Sequence, residues 1–161
     1  MAGRIATIGV YGFDSGSFLA ALREAGVGAL LDVRQRRGVR GREYAWANSQ
    51  RLQGALVEAG IGYQHHKELA PTTAMRQAQY RADAAEGEGK RSRTHLSPEF
   101  ERLYTEQVLA AADLEPIAAL AKETLPALLC VERDAEACHR RLIAARLERE
   151  LGLEVLHLRP G

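Results

Sequence analysis

The chain has 161 residues and a formal net charge of +1, with hydrophobic residues at 46% and charged residues at 27%. This length and balance fit one globular domain, and they exclude a disordered chain and a protein with a global basic field. No apolar run approaches the ~20 residues that span a bilayer, and the N-terminal stretch lacks a signal-peptide pattern, so we expect a cytoplasmic protein without a membrane partner.

The first two strands are predicted from composition. Residues 4–10 are rich in β-branched and apolar types, and the nearly all-apolar residues 27–33 suit a strand that is buried on both faces. Between them, apolar side chains recur at helical spacing until Gly26 ends a helix. The chain is therefore expected to begin with a strand, a helix and a second strand.

A second helix and a third strand are predicted next. Asn48 or Ser49 can cap the helix and Gly60 can end it. Residues 61–65 then predict a weaker strand. The apolar face of the helix is expected to hold Leu52, Leu56 and Val57.

Residues 70–96 differ from the rest of the chain. They contain PTT and EGEGKRSRTH with few large apolar residues, which predicts a long excursion that is mobile or orders only on binding. A helix is expected to begin again at Ser97, with Pro98 in its first turn and an acidic residue near its positive end. Its apolar face is expected to hold Phe100, Leu103, Tyr104, Val108 and Leu109.

The C-terminal third continues the alternation. A helix is predicted over 115–123, a buried strand over 126–131 and a final strand over 153–158. Between these last two strands, Asp134 is expected to cap a helix that Gly152 ends. The apolar side chains of that helix are Leu142, Ile143, Ala145 and Leu147.

This alternation predicts a single α/β domain over residues 1–161. Its sheet should be mostly parallel and covered by helices on both faces, in a Rossmann-like three-layer arrangement. Right-handed crossovers bring every strand-to-helix loop to one sheet edge, where such folds bind their ligands. We therefore expect the loops over 9–17, 32–46, 65–69 and 130–140 to meet.

The loop after the second strand, DVRQRRGVRGREYAW, is rich in arginine. The planar arginine fork matches phosphate, and nearby aromatic rings suit a stacked base. The alternative for the outer arginines is a solvated charge run. Asp32 and Arg34 are the stronger candidates because they leave a buried strand directly. The candidate phosphate- or nucleic-acid-binding residues of the chain are Arg34, Arg36, Arg37, Arg40, Arg42, Tyr44, Trp46, Arg133 and Arg140.

A second polar segment, CVERDAEACHRR, leaves a buried strand and opens a helix. A thiol near a helix N-terminus and near arginines has a lowered pKa, and carboxylate and imidazole groups can carry protons. For Cys130 alone, the favoured alternative is a small buried hydrophobe. The candidate catalytic residues are Glu132, Asp32, His139, Cys130 and Cys138.

Neither a metal nor another cofactor is expected. Cys130, Cys138 and His139, with His65 or His66, are suitable ligand types, but the spacing lacks a paired C-x-x-C. Adjacent residues also point about 100° apart on a helix, which would separate Cys138 from His139. We therefore expect reduced cysteines and no four-ligand zinc site.

These segments together resemble the family catalogued as domain of unknown function 488, over nearly the whole chain. The residues that carry the resemblance are Thr7, Ile8, Gly9, Asp32, Val33, Arg34, Tyr63, His65, Glu68, Leu69, Cys130, Glu132, Cys138, His139 and Arg140. Family members typically show a histidine and a serine after the first triplet and a proline after DVR. Here Val10, Tyr11 and Gly38 stand in that neighbourhood, so the first loop is expected to contribute different chemistry. The resemblance implies an α/β fold with an enzyme-like cluster, and it names no substrate.

A weaker likeness is to rhodanese-type domains, which place a similar DVR strand end beside a cysteine loop. Here the loop carries Glu132, Asp134 and Glu136, which would repel the anion that such loops hold. We treat this likeness as an architectural analogy.

Three functions remain open on the sequence. The leading hypothesis is an enzyme or binding domain for a nucleotide, nucleic acid or phosphorylated small molecule. In it Arg34 and Arg40 hold phosphate, and Glu132 is an acid or base oriented by Arg140. The second is a thiol enzyme for sulfur transfer or redox chemistry, with Cys130 or Cys138 as nucleophile. The third is a non-catalytic nucleic-acid-binding module that uses the arginine loop and residues 90–93.

Overall fold

In this computed structural model, which describes residues 3–89 and 91–161, five parallel strands form one sheet. The strands are β1 (Arg4–Ile8), β2 (Val27–Asp32), β3 (Gly62–His65), β4 (Leu125–Leu129) and β5 (Glu154–His157). Their order across the sheet is β3-β2-β4-β1-β5. Every residue of the central strand β4 is buried, as its apolar sequence predicts.

Within residues 3–89 and 91–161, six α-helices connect the strands. They are α1 (Ser15–Ala25), α2 (Ser49–Ala59), α3 (Thr73–Ala85), α4 (Pro98–Gln107), α5 (Glu115–Ala121) and α6 (Arg140–Leu151). Short 3-10 segments occur at Arg42–Ala47, Lys67–Leu69, Leu109–Ala111 and Ala135–Ala137. No helix within the described ranges is long and apolar enough to cross a membrane.

The sheet separates two apolar cores, because side chains alternate between the faces of a strand. On one face, Leu30 of β2 packs in the same core as Phe18 of α1 and Leu52 of α2. On the other face, Leu31 lies in a core with side chains from the remaining four helices. Those side chains include Met75, Phe100, Tyr104, Ile117, Ile143 and Leu147. The expected parallel sheet with helices on both faces is thereby confirmed.

The predicted helix ends are confirmed where glycine sets them. Gly26, Gly60 and Gly152 follow α1, α2 and α6 with φ angles of 81°, 74° and 72°. Glycine adopts this left-handed conformation without steric cost. The start of α4 is also as predicted, because the Ser97 hydroxyl accepts a hydrogen bond from Phe100 N at 3.1 Å.

Three details of the predicted helices are wrong. Asn48 occupies the N-cap position of α2 as predicted, but its side chain makes no capping hydrogen bond and instead accepts from Val39 N of the arginine loop at 2.7 Å. Asp134 does not cap the last helix: it pairs with Arg159, and α6 begins only at Arg140. Val57 was expected on an apolar face, yet it is 77% exposed.

The excursion over 70–96 contains a helix that composition did not predict. Helix α3 has 13 residues, and Thr72 caps it by accepting from Met75 N at 3.3 Å. Its buried side chains are Met75, Ala78, Gln79 and Asp83. Two of them are polar, so the helix lacks the large apolar stripe by which an amphipathic helix is recognised. Of residues 90–93, Lys90 lies outside the described residues.

Gly9 allows two strand ends to approach closely. A Cβ atom at this position would lie 1.8 Å from the backbone oxygen of Glu132. No L-residue with a side chain fits there unless the backbone after β4 moves. At Gly54, within α2, an added Cβ atom would lie in open space.

We therefore predict opposite effects for two glycine substitutions. Gly9→Ala should lower the free energy of unfolding by about 1–3 kcal/mol, because it overpacks backbone against backbone. Gly54→Ala should raise it by about 0.5–1 kcal/mol through helix propensity. Urea unfolding of both variants measures this, and equal stability of Gly9→Ala and the parent would contradict the close approach.

Candidate functional site

The polar segments that follow β2 and β4 meet at the carboxyl edge of the sheet. These strands are neighbours, and their pairing continues beyond their ends: Val33 N donates to Leu129 O at 3.1 Å. The segment after β1 joins them, because Val10 N donates to Val131 O at 2.9 Å. The carboxyl edge therefore brings the DVR segment and the cysteine segment together, as the topology predicts.

Asp32 and Arg34 form a buried bidentate ion pair. Arg34 donates from Nε to Oδ1 at 2.9 Å and from Nη2 to Oδ2 at 2.8 Å, while its Nη1 donates to Ala47 O at 3.0 Å. The two side chains are 0% and 1% exposed. This arrangement differs from the expectation that Arg34 holds phosphate and Asp32 does chemistry, because each charge already has a partner inside the fold.

Strand β3 contributes a second layer around this pair. The Tyr63 hydroxyl donates to Asp32 Oδ2 at 2.6 Å, and Arg37 Nη1 lies 3.3 Å from the same hydroxyl. His65 Nε2 lies 3.2 Å from Arg34 O. His66 points elsewhere and bonds Glu68 Oε1 at 2.8 Å, so the two adjacent histidines have different surroundings, as alternation predicts.

Cys130, Cys138 and His139 converge on one point. His139 Nδ1 lies 3.6 Å from Cys130 Sγ and 3.7 Å from Cys138 Sγ, and all three atoms lie within 4.8 Å of one another. His139 Nε2 donates to Val33 O at 2.8 Å, because a carbonyl oxygen only accepts. Both thiols are free and buried.

The pKa values of this cluster are shifted in different directions. Burial alone would raise the pKa of Cys138, but the hydrogen bond from Cys130 and the charges of His139 and Arg140 lower it well below its usual value. Burial, the Cys138 sulfur and the Glu132 carboxylate raise the pKa of Cys130 well above the usual thiol value. Burial alone would lower the pKa of His139, but Cys138 raises it. Negative charge is therefore favoured on Cys138 rather than on Cys130.

Arg93, from the excursion, holds the Glu132 carboxylate. Its Nη2 contacts Glu132 Oε1, its Nη1 donates to Asp83 Oδ2 at 2.9 Å, and its Nε donates to Ala137 O at 3.2 Å. The side chains of Arg93, Asp83 and Glu132 are about 6–7% exposed, so this ion-pair network is buried. Glu132 Oε2 faces Cys130 Sγ at 3.3 Å.

Arg140 does not orient the Glu132 carboxylate as expected. Its Nη1 donates to Glu132 O at 2.8 Å and its Nη2 donates to Arg133 O at 3.2 Å. Arg140 is 1% exposed, and its Nε has no hydrogen-bond partner among residues 3–89 and 91–161. Its observed role is to hold the backbone of the turn that carries Glu132.

A cavity of about 670 Å³ opens above these groups. Cys130, Glu132 and His139 form its floor, whereas Cys138, Asp32 and Arg140 do not line it. Six arginines line it: Arg34, Arg36, Arg40, Arg76, Arg91 and Arg93. Its aromatic lining consists of Tyr11, Tyr80 and Phe100. The volume lies within the range of sites that bind small molecules.

The cavity divides the arginines of the loop after β2. Arg36 and Arg40 are exposed and line it, whereas Arg37 and Arg42 do not. Arg133, from the loop after β4, does not line it either. Neither expected stacking residue lines it either. Trp46 packs against Phe18 at a centroid distance of 4.9 Å. Tyr44 packs against Tyr11 at a centroid distance of 5.2 Å, and its hydroxyl accepts from Gly12 N at 3.1 Å. The rings of Tyr44 and Trp46 both pack against the core on the α1 face of the sheet.

The excursion supplies part of the cavity wall. Arg91, Ser92 and Arg93 line it, although the sequence predicted them only as part of a non-catalytic binding surface. Sequence reasoning missed Arg76, Gln79 and Tyr80. Their signal was the basic and polar character of a segment that carries few large apolar side chains. Tyr11 was also missed, although it follows β1 directly; Arg91 lies over its ring at 5.1 Å.

One comparison identifies a family. The sequence profile described as "Domain of unknown function DUF488" matches residues 15–147, which contain three of the four motifs that carry the resemblance and confirm it; the motif over 7–9 precedes the matched range. No curated protein and no solved structure matches the chain significantly.

The Asp32–Arg34 pair yields a stability prediction. Arg34→Met leaves a carboxylate buried without its cation and should lower the free energy of unfolding by about 3–5 kcal/mol. Arg36→Met, at an exposed neighbouring site, should change it by less than about 0.5 kcal/mol. Adding Asp32→Asn to Arg34→Met should recover part of the loss, since it removes the uncompensated charge. Denaturant unfolding measures all three, and equal losses in both single variants would contradict this role.

Proposed function

The chain belongs to the DUF488 family, and we propose that it is an enzyme that acts on a phosphate-bearing nucleotide, either free or as one unit of a nucleic acid. The observation that carries this proposal is the arginine-rich cavity above Glu132 and His139.

The positive charge of the cavity suits an anion. Arg34 and Arg93 pair with buried carboxylates, and Arg91 pairs with Glu43. Arg36, Arg40 and Arg76 have no ion-pair partner in the part of the chain that the structure describes. Three guanidinium charges around one cavity suit the charge of phosphate. Arg36 and Arg40 can also supply the planar fork, whereas Arg76 donates to Gln35 Oε1 at 2.8 Å and to the Tyr80 hydroxyl at 2.9 Å.

The remaining lining suits a base and a sugar. Tyr11 and Tyr80 line the cavity with aromatic rings. The amides of Gln35 and Gln79 also line it, but they are hydrogen-bonded within the fold and shape the wall. A cavity of about 670 Å³ accommodates one nucleotide unit rather than a duplex. For a nucleic acid, the target nucleotide would have to be terminal or unstacked.

Glu132 is the proposed general base. It is the one carboxylate among the cavity-lining residues. Arg93 holds its Oε1, and its Oε2 accepts from the Cys130 thiol at 3.3 Å. The remaining lone pair of Oε2 would take a proton from a bound water or hydroxyl group. His139 lies on the same floor and supplies an imidazole ring beside the Glu132 carboxylate.

A thiol enzyme is less well supported. Cys130 lines the cavity, but the pKa of that thiol is raised, which disfavours the nucleophilic thiolate. Cys138 has the lowered pKa, but it is 1% exposed and does not line the cavity. The accessible sulfur and the activated sulfur are therefore different atoms.

A non-catalytic binding module is also less well supported. Its second contact surface was residues 90–93, but Arg93 is committed to Asp83 and Glu132 inside the fold. A surface that only binds a nucleic-acid backbone does not need a buried carboxylate and an imidazole at the bottom of a cavity.

We predict that two pairs of arginines differ in ligand binding. Arg36→Gln with Arg40→Gln should weaken binding of a fluorescent single-stranded oligonucleotide and flatten the slope of log affinity against log salt by up to ~0.7–0.9 per lost phosphate contact. Arg37→Gln with Arg42→Gln removes the same charge from outside the cavity and should change both quantities less. Fluorescence anisotropy over a salt series measures this. Equal effects of the two pairs would mean that binding follows overall charge and would contradict a phosphate site in the cavity.

The catalytic role is tested at Glu132. Purified protein is incubated with a panel of nucleoside mono-, di- and triphosphates and short oligonucleotides, and products are separated by chromatography. Glu132→Gln should keep nucleotide binding and lose turnover by about 10²–10⁴-fold. Glu136→Gln, in the same loop but paired with the exposed Arg159, is the matched control and should keep turnover. Full turnover in Glu132→Gln, with a covalent substrate adduct on Cys130, would instead support the thiol enzyme.

A further inference from the structure

The cluster of Cys130, Cys138 and His139 has the spacing of a metal site. For tetrahedral zinc, bond lengths of about 2.3 Å to sulfur and 2.0–2.1 Å to nitrogen place a sulfur and a nitrogen ligand about 3.6 Å apart. The two observed distances from Nδ1 to sulfur are 3.6 and 3.7 Å. All three ligand atoms lie within 4.8 Å of one another.

The local backbone explains why this spacing arises. Sequence reasoning separated Cys138 from His139 by assuming that both lie on a helix. Cys138 is instead extended, with φ −141° and ψ 149°, and α6 begins only after His139. An extended residue followed by a helix cap can turn two adjacent side chains toward one point. Cys130, the residue after β4, brings its sulfur to the same point from the edge of the sheet.

The surroundings of the three side chains also match a metal site. The second ring nitrogen of a ligating histidine almost always donates to a carboxylate, a backbone carbonyl or water. His139 Nε2 donates to Val33 O at 2.8 Å, which leaves Nδ1 as the coordinating atom. The Cys138 sulfur accepts from Arg140 N at 3.5 Å, a contact that stabilises a thiolate. The ring orientation and the donor that faces the Cys138 sulfur are thus set before any ion arrives.

We propose that Cys130, Cys138 and His139 bind one zinc ion through two thiolates and one imidazole, with a fourth coordination position that faces the cavity. Soft sulfur and imidazole ligands select zinc over magnesium or calcium. Three protein ligands with an open position are typical of catalytic rather than structural zinc.

The cavity defines the fourth position. Cys130 and His139 line the cavity floor, whereas Cys138 closes the cluster from behind. Glu132 Oε2 lies 3.3 Å from Cys130 Sγ, beside the open side of the cluster. A water or substrate atom at that position would lie between the ion and Glu132. Zinc binding itself does not depend on the proposed nucleotide substrate.

Zinc content tests the proposal directly. The full chain, purified under reducing conditions without a histidine tag, should contain one zinc per chain by elemental analysis. The metal-free, reduced protein should bind one Co²⁺, with a thiolate-to-cobalt charge-transfer band and the visible bands of a four-coordinate ion. Reduced parent protein that binds neither ion, or a cobalt spectrum without the charge-transfer band, would overturn the proposal.

Variants assign the ligands. Cys138→Ser and His139→Ala should each lose stoichiometric zinc, and Cys130→Ser should weaken the charge-transfer band by removing one thiolate. His66→Ala and Glu132→Gln should keep one zinc per chain, since neither side chain is a ligand. Should a cysteine variant fail to fold, the cobalt spectrum of the parent still decides. Formation of a Cys130–Cys138 disulfide in air despite stoichiometric zinc would also overturn the proposal, because a bound ion protects its thiolates.

Discussion

Three residues in a row, Asp32 to Arg34, connect the loops that build the site. Arg34 binds Asp32 and reaches Ala47 O, which ties down the arginine loop. Between them, Val33 O accepts from His139 Nε2 and so fixes the ring that faces both sulfurs. Because the ion pair is desolvated, removal of one partner would leave a bare charge in the core. The geometry of the floor therefore depends on a buried ion pair of which only Arg34 reaches the cavity lining.

The excursion over 70–96 completes the site from the opposite side. Arg93 joins Asp83 of α3 to Glu132 at the floor, so the wall and the floor form one network. Gln79 extends the network, with Nε2 donating to Asp83 at 2.8 Å and Oε1 accepting from Ser97 N at 2.9 Å. Three polar side chains of this segment, those of Gln79, Asp83 and Arg93, are buried, and they pair with one another or with Glu132.

Sequence patterns predicted the fold well because they are local. Glycines with positive φ ended the helices, and apolar runs located the central strands. Topology then identified the sheet edge, since parallel strands end on one side. The conformation of Cys138 and the role of Arg140 were not predictable in this way. Both depend on contacts between distant segments, such as the two backbone oxygens that Arg140 holds.

The strand order of the sheet also affects how readily copies of the chain aggregate through strand pairing. An unpaired outer strand offers free backbone groups to any other chain that can align with it. Here the two outer strands, β3 and β5, are the shortest in the sheet, with four residues each. The long apolar strands β2 and β4 lie inside, where both of their edges are already paired. The segments with the greatest tendency to aggregate are thus also those least available for intermolecular pairing.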